Sequence, residues 1–295
     1  MIVKEAKITN SNGDSIVFGR HFHLLEGLNL SELSATISYS QTTKDGANYQ
    51  KTLLDIRNFS LQFYIDRDFK EDWWIEEKRA EAFRIFNPKH NPFRIDFQTK
   101  GGKSFYINCE LSSIPLFVDD LDNDNDSWLI GLLQFNASDP YIYSSIATVE
   151  DLAVWTPAFE FPLEILEEGI EMGYRNPSLM ANIHNDGDTE SGMVIRFKAI
   201  ATVVNPKIIN VNTYEEYKLN FTMQSGDLIE ASTHDRQKTA ILTRHNRKTN
   251  IFNAIDLNSV FLQLNPGDNL FRYHADEGID NLEISIIFTS KRSGV

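Results

Sequence analysis

Residues 134–144, QFNASDPYIYS, carry two signals that point to different kinds of protein. Asn136-Ala-Ser138 is an N-glycosylation triplet, which belongs on a surface loop of a secreted chain. The flanking residues read otherwise, because LIGLLQF before and YIY after form an apolar strand pattern stopped by Asp139-Pro140. Proline cannot donate a ladder hydrogen bond and suits the exit of a strand. On that second reading the stretch is the seam where one domain ends.

The rest of the chain weakens the glycan reading. Further triplets begin at Asn29, Asn58, Asn125 and Asn220, as chance allows in an Asn- and Ser-rich chain. The start, MIVKEAKITNSNGD, has no apolar run behind a basic segment, so no secretory signal is expected. No window approaches the roughly 18 apolar residues of a membrane-spanning helix. The 295 residues leave room for two domains. The 20 Phe and 10 Tyr, with few Ala-Leu-Glu-Lys blocks, favour strands. A net charge of −14 without a long Lys/Arg run lacks the electrostatic footprint of a nucleic-acid binder. The single cysteine, Cys109, rules out an internal disulfide and sits in FYINCEL, an alternating strand pattern.

Residues 2–20 predict a hairpin, VKEAKIT and SIVFG around Asn12-Gly13. The polar run SYSQTTKDGANYQK (38–51) predicts an exposed loop or arm. DIRNFSLQFYI alternates through Ile56, Phe59, Leu61 and Phe63, with a register break near Arg57. Helical spacing over 71–86 gathers Trp74, Ile75, Ala82, Phe83, Ile85 and Phe86 on one face. Asn87-Pro88 stops that helix, and Trp73 points off its apolar arc. FRIDFQ, SFYINCEL, IPLFV and WLIGLLQF then read as strands. The expected fold is mainly β: a sandwich-like domain with one helix over 1–144, a connection with one strand over 145–178, and a β-sandwich over 179–295. Short strands between NDGDTESG, TVVNPK, QSGD, HNRK and NPGD carry the last assignment.

No constellation supports catalysis. Asp120, Asp122 and Asp124 have the spacing that opens a calcium loop, but neither register supplies Gly at the sixth position and Glu at the twelfth, so 119–128 reads as a solvated turn. His21 and His23 share a strand face without a third ligand nearby. There is no G-x-S-x-G, phosphate-cradling glycine loop or H-E-x-x-H. The pairs Glu76-Glu77 and Glu167-Glu168 are adjacent and do not face each other. No catalytic, metal or cofactor-binding residue is therefore assigned, no cofactor is expected, and the chain is read as a non-enzyme that works through its surfaces. The one dense basic cluster is Arg244, His245, Arg247 and Lys248.

The order of segments resembles a known family. A hairpin, a polar loop KDGANY, a strand with an embedded arginine (LDIRNFSLQFYI), a helix ending in NPKHNPF and a strand closing in QFNASDPYIYS resemble the N-terminal domain of siphophage distal tail proteins. NDGDTESGMVIRFKAIATVVNPK through FLQLNPGDNLFRYHADEG to NLEISIIF is similar to that family's C-terminal domain. The resemblance implies a ring, commonly a hexamer, that joins the tail tube to the tip or baseplate in the virion, made in the host bacterial cytoplasm. It also implies a galectin- or carbohydrate-binding-module-like outer sandwich. The implied partners are further copies of the chain, the tail-tube protein, and tip, baseplate or receptor-binding proteins, with no nucleic-acid sequence recognition or membrane insertion. Lys44, Asn48, Tyr49 and Trp73 are the expected ring contacts, and Arg244, His245, Arg247 and Lys248 the expected outer docking tip. The alternative is a sugar-binding sandwich, for which Tyr214, Tyr217 and Tyr273 are the only tyrosines after residue 180, with no tryptophan there.

Overall fold

A computed structural model describes residues 3–19, 21–25, 27–30, 32–66, 74–117, 128–152, 155–157, 173–175, 180–235 and 237–295. The chain forms two compact units, residues 1–146 with 292–295, and residues 147–291. The sequence pattern predicts a connection at 145–178 and a domain over 179–295, whereas the second unit starts at 147 and residues 292–295 belong to the first.

The first unit contains β1 (Val3–Thr9), β2 (Ser15–Phe18), β3 (Phe22–Leu24), β4 (Ala35–Gln41), β5 (Ala47–Leu54) and β6 (Arg57–Asp66). After these come α1 (Trp74–Ile85), β7 (Phe93–Thr99), β8 (Ser104–Leu111), β9 (Leu116–Phe117), β10 (Trp128–Ala137) and β11 (Ile142–Ser144). The strand order β11-β8-β7-β1-β2-β3-β6-β10-β9 does not end as an open sheet. β10 also pairs with β8, at Phe135 opposite Leu111 and Asn136 opposite Glu110, so the sheet closes on itself. Closure removes the edges that an open sheet would expose. The layers of the expected sandwich are thus continuous. The β1–β2 hairpin turns at the expected Asn12-Gly13, where only Gly13 takes a positive φ, 90°.

The interior follows from alternation. In β6 the inward positions are Arg57, Phe59, Leu61, Phe63 and Ile65, and in β10 they are Leu129, Gly131, Leu133, Phe135 and Ala137. Phe63 is the hub, with ring centroids 6.1 Å from Phe18, 6.0 Å from Phe22, 6.2 Å from Phe86 and 5.9 Å from Phe117. Helix α1 buries Ala82 and Ile85, continued by Phe86, against this core, with Ile75 and Phe83 half-buried and Glu76 and Glu77 in solvent. The helical face read from the sequence is the packed one; the side chain of Trp74 lies outside the described residues. Asn10, in the first turn, donates its Nδ2 to the Ile85 carbonyl at 3.2 Å, satisfying an acceptor that the helix end leaves open.

The second unit begins earlier than the sequence suggested. β12 (Thr148–Asp151) lies in the expected connection yet pairs with a core strand, and β13 (Trp155–Pro157) with β14 (Gly173–Arg175) forms a separate ribbon. The sandwich continues with β15 (Met180–Asn185), β16 (Met193–Ala199), β17 (Val203–Val204), β18 (Lys207–Asn210), β19 (Glu216–Lys218), β20 (Thr222–Met223) and β21 (Leu228–Ser232). It ends with β22 (Thr239–Arg244), β23 (Arg247–Asn250), β24 (Gly267–His274) and β25 (Leu282–Phe288), before the short β26 (Lys291–Arg292), which lies beside β11. One sheet has the order β12-β25-β16-β21-β22-β23 and the other β15-β24-β18-β19. Ile195, Phe197, Ile284 and Ile286 from the first share one core with Ile208, Tyr217, Phe271 and Tyr273 from the second.

Gly131 sits opposite Phe63, and a Cβ there would lie 2.5 Å from Phe63 Cζ and 2.8 Å from the Phe117 ring. Overpacking of this kind costs about 1–3 kcal/mol, so Gly131→Ala is expected to destabilise the first unit by that amount, read as a lower denaturant midpoint, while leaving the second unit's transition in place.

Candidate functional site

The seam read from QFNASDPYIYS is built by the pairing of β10 with β6, which sets Ala137 opposite Arg57. The alternation of β6 is unbroken from Arg57 onward, contrary to the expected register break. Ile56 lies before the strand and is exposed, whereas Arg57 occupies an inward position and is fully buried. Its guanidinium donates from Nε to the Pro140 carbonyl at 2.9 Å, from Nη2 to the Ser293 carbonyl at 2.5 Å, and from Nη1 to the Leu30 carbonyl. Burial lowers its pKa from the ordinary arginine value, but a guanidinium remains charged at any physiological pH.

Downstream of β10, each exit residue has a partner. Ser138 gives its amide and hydroxyl to the Glu110 carboxylate at 3.2 and 2.7 Å. The Tyr143 hydroxyl donates to Asp139 Oδ2 at 2.5 Å, and its ring stacks on Tyr106 at 5.3 Å and 15°. Arg94 covers the other part of this ladder, 3.8 Å above the Tyr106 ring, while its Nε bonds Asp96 at 2.9 Å. Burial, then the bond to Asp139, pushes the Tyr143 phenol above its usual range. Asn136 is itself a strand residue paired with Asn58, the asparagine of another triplet. Strand pairing explains this stretch, as the second reading expected.

The polar run at 38–51 is a hairpin arm. Among the described residues β4 and β5 pair only with each other, with a bulge after Ser38. Every residue of β5 is exposed, as are Lys44 in the turn, Asn48 and Tyr49. Tyr39 and Tyr49 meet edge to face at 6.5 Å, and the Tyr49 hydroxyl bonds Thr52 at 3.0 Å. Trp73, the fourth expected contact, lies outside the described residues, as does the aspartate run 118–127.

The basic tip divides in two. His245 and Asn246 both take positive φ, 48° and 61°, forming a tight turn on which His245, Arg247 and Lys248 are exposed. Arg244 points back into the unit and grips Asp227 with Nε at 2.8 Å and Nη2 at 2.5 Å. Asp227 is buried and also accepts from the Gln224 amide at 2.7 Å. Its carboxyl is held below the usual carboxylate range, first by the Arg244 hydrogen bond. Sequence alone did not pair these residues, although the Asp closing QSGD is a turn signal. Cys109 is fully buried in β8, and burial pushes its thiol far above its usual value. His23 stacks on Tyr64 at 4.9 Å. Among the described residues, no group of three or more His, Cys, Asp or Glu could hold a metal ion, and no helix is long and apolar enough to cross a membrane.

Comparison with known proteins now bears on these surfaces. Residues 186–291 match the family model for the siphovirus-type tail component, C-terminal domain. Most of the second unit is thus similar to that tail-component domain. The whole chain has the fold of the distal tail (Dit) protein of phage SPP1, described as a paradigm of the hub adsorption apparatus in phages infecting Gram-positive bacteria. That match has a TM-score of 0.67 at 13% identity, over 97% of this chain and 98% of the other. A chain of the phage P2 baseplate, in its activated conformation with Ca, matches with a TM-score of 0.56 at 12% identity over 100% of both chains. Among curated proteins no sequence relative matches. The resemblance read from segment order is borne out, and so is the mainly β fold class.

Removing Arg244 from the second unit strands a buried carboxylate. Arg244→Met is expected to destabilise the second unit by about 3 kcal/mol at neutral pH. A carboxyl with a depressed folded pKa contributes stability above its unfolded value, near 4, and loses it as pH falls through the folded value. The gap between wild type and Arg244→Met should therefore narrow as denaturation is repeated below pH 4.

Proposed function

We propose that this chain is the structural hub of a siphophage-type tail, a closed ring of identical subunits, six in number, joining the tail tube to the tip or baseplate of the virion. The first unit forms the ring, and the second faces outward as a platform for receptor-binding or baseplate components. The shared fold over the whole chain and the tail-component match over 186–291 support this reading.

The arm is the observation that carries it. A two-stranded ribbon is at best marginal in water without a packed face, yet β4 and β5 expose Ile37, Tyr39, Tyr49, Leu53 and Leu54. Aromatic residues of this kind are typical anchors of protein interfaces. A protrusion seated on the next copy is a heterologous contact, which closes into a ring when the rotation fits. Lys44 and Asn48, beside Tyr49, lie on the same arm and join the contact. In the second unit, His245, Arg247 and Lys248 form the docking tip, while Arg244 supports it from beneath through Asp227.

A sugar-binding role for the outer sandwich has one supporting feature, Tyr214, which is 85% exposed on the turn between β18 and β19. Silence of the full chain on a glycan array would remove that role without touching the hub.

Electron micrographs of the purified chain, alone and co-expressed with tip proteins, are expected to show six-fold rings with an open channel; a strict monomer in both preparations would overturn the hub. The double variant Tyr39→Asp, Tyr49→Lys should abolish rings in light scattering while shifting unfolding stability by no more than about 0.5 kcal/mol, as for surface substitutions outside a core.

A further inference from the structure

Arg57 holds three pieces of chain that are distant in sequence. Leu30 belongs to the segment leading into the arm, with Leu28 and Leu30 buried in the core. Pro140 belongs to the seam by which the chain leaves the first unit, and Ser293 to the tail by which it returns. The base of the arm is tied to the same place from its other end. Asp55, two residues before Arg57, receives the Thr36 hydroxyl at 2.8 Å on its side chain and donates its amide to Ser34 at 3.0 Å.

The chain crosses between its units only at 146–147 and 291–292. Pro140, ahead of the first crossing, and Ser293, just after the second, both lie in the first unit and give their carbonyls to one guanidinium, and the third carbonyl, that of Leu30, leads into the root of the arm. A planar fork of five N–H groups can serve three acceptors in fixed directions, which a flexible ammonium cannot do. If one acceptor leaves, the buried cation loses a charge-assisted bond and its remaining geometry is no longer determined.

We infer that Arg57 is a conformational pin, coupling both interunit crossings to the root of the arm, so that a change of tension at the seam or the tail is felt by the surface that β4 and β5 present. The coupling is a property of the single chain and does not depend on ring formation.

Hydrogen exchange on the full chain tests it, comparing wild type with a chain ending at Arg292, which lacks the Ser293 carbonyl. Two amides report at a distance: Asp55, held by Ser34 at the arm root, and Ser145, held by the Ser104 carbonyl beyond the seam. Loss of a hydrogen bond to a charged group is expected to speed exchange at both by roughly tenfold, with β16 and β25 unchanged. Acceleration confined to residues 289–292 would overturn the inference. So would simultaneous loss of protection throughout β6 and β10, since the tail would then hold the barrel as a whole. Arg57→Lys should reproduce the accelerated pattern, and removing the tail from Arg57→Met should add nothing at Asp55; a fully additive effect would also overturn the pin. Should Arg57→Met fail to fold, the chain ending at Arg292 decides by itself.

Discussion

A guanidinium buried in the first unit, with three backbone carbonyls as its hydrogen-bond partners, is the interaction on which the rest of that unit's connectivity depends. Removing a cation from water is costly, and the cost is offset only when its donors are satisfied in good geometry. Arg57 meets that condition through segments that come together only in the folded chain: the arm root, the strand exit and the returning tail. Once the exit is held there, Asp139 can accept from Tyr143, Tyr143 can stack on Tyr106, and β11 can pair with β8. The seam is thus a chain of mutually supporting contacts, each of which presupposes the position of the one before.

The core obeys a second constraint, volume. Closing the sheet through β8 and β10 brings inward side chains from all sides onto Phe63, and the aromatic rings fit because β10 supplies Gly131 opposite it. A packed interior of this density tolerates little change in size. The arm is the opposite case. It carries exposed aromatics and no core of its own, which is physically reasonable for a segment whose packing is completed by another molecule. A closed, densely packed barrel and an exposed two-stranded protrusion thus stand side by side in the first unit.

Much of this was legible locally. The helix was readable because the apolar spacing and the Asn87-Pro88 stop are both short-range signals. The hairpin at Asn12-Gly13, the exposed arm and the small strands of the second unit were readable for the same reason. Arg57 was not. An arginine in an alternating strand looks like a break in the pattern, since nothing nearby in sequence shows that carbonyls at positions 30, 140 and 293 will meet it. The pairing of Arg244 with Asp227 is not legible either, because Asp227 lies 17 residues earlier, in the turn before β21, and meets Arg244 only once β21 and β22 pair. β12 was placed in the connection because a four-residue strand with an exposed face has no distinctive pattern until its partner β25 is known.

By itself the sequence determined the class of the protein: a mainly β chain with one helix, an acidic surface, no catalytic motif, and an order of segments similar to that of siphophage tail proteins. The first three follow from composition, local motifs and periodicities of two and 3.6 residues, and the last is a resemblance carried by the order of the segments. Only the tertiary structure decided that the first sheet closes, that the chain's last residues return to the first unit, and that one buried arginine ties seam, tail and arm root together. Those features depend on hydrogen bonds and packing between residues as far apart as 57 and 293, whose encounter is set by the fold as a whole and not by any single stretch.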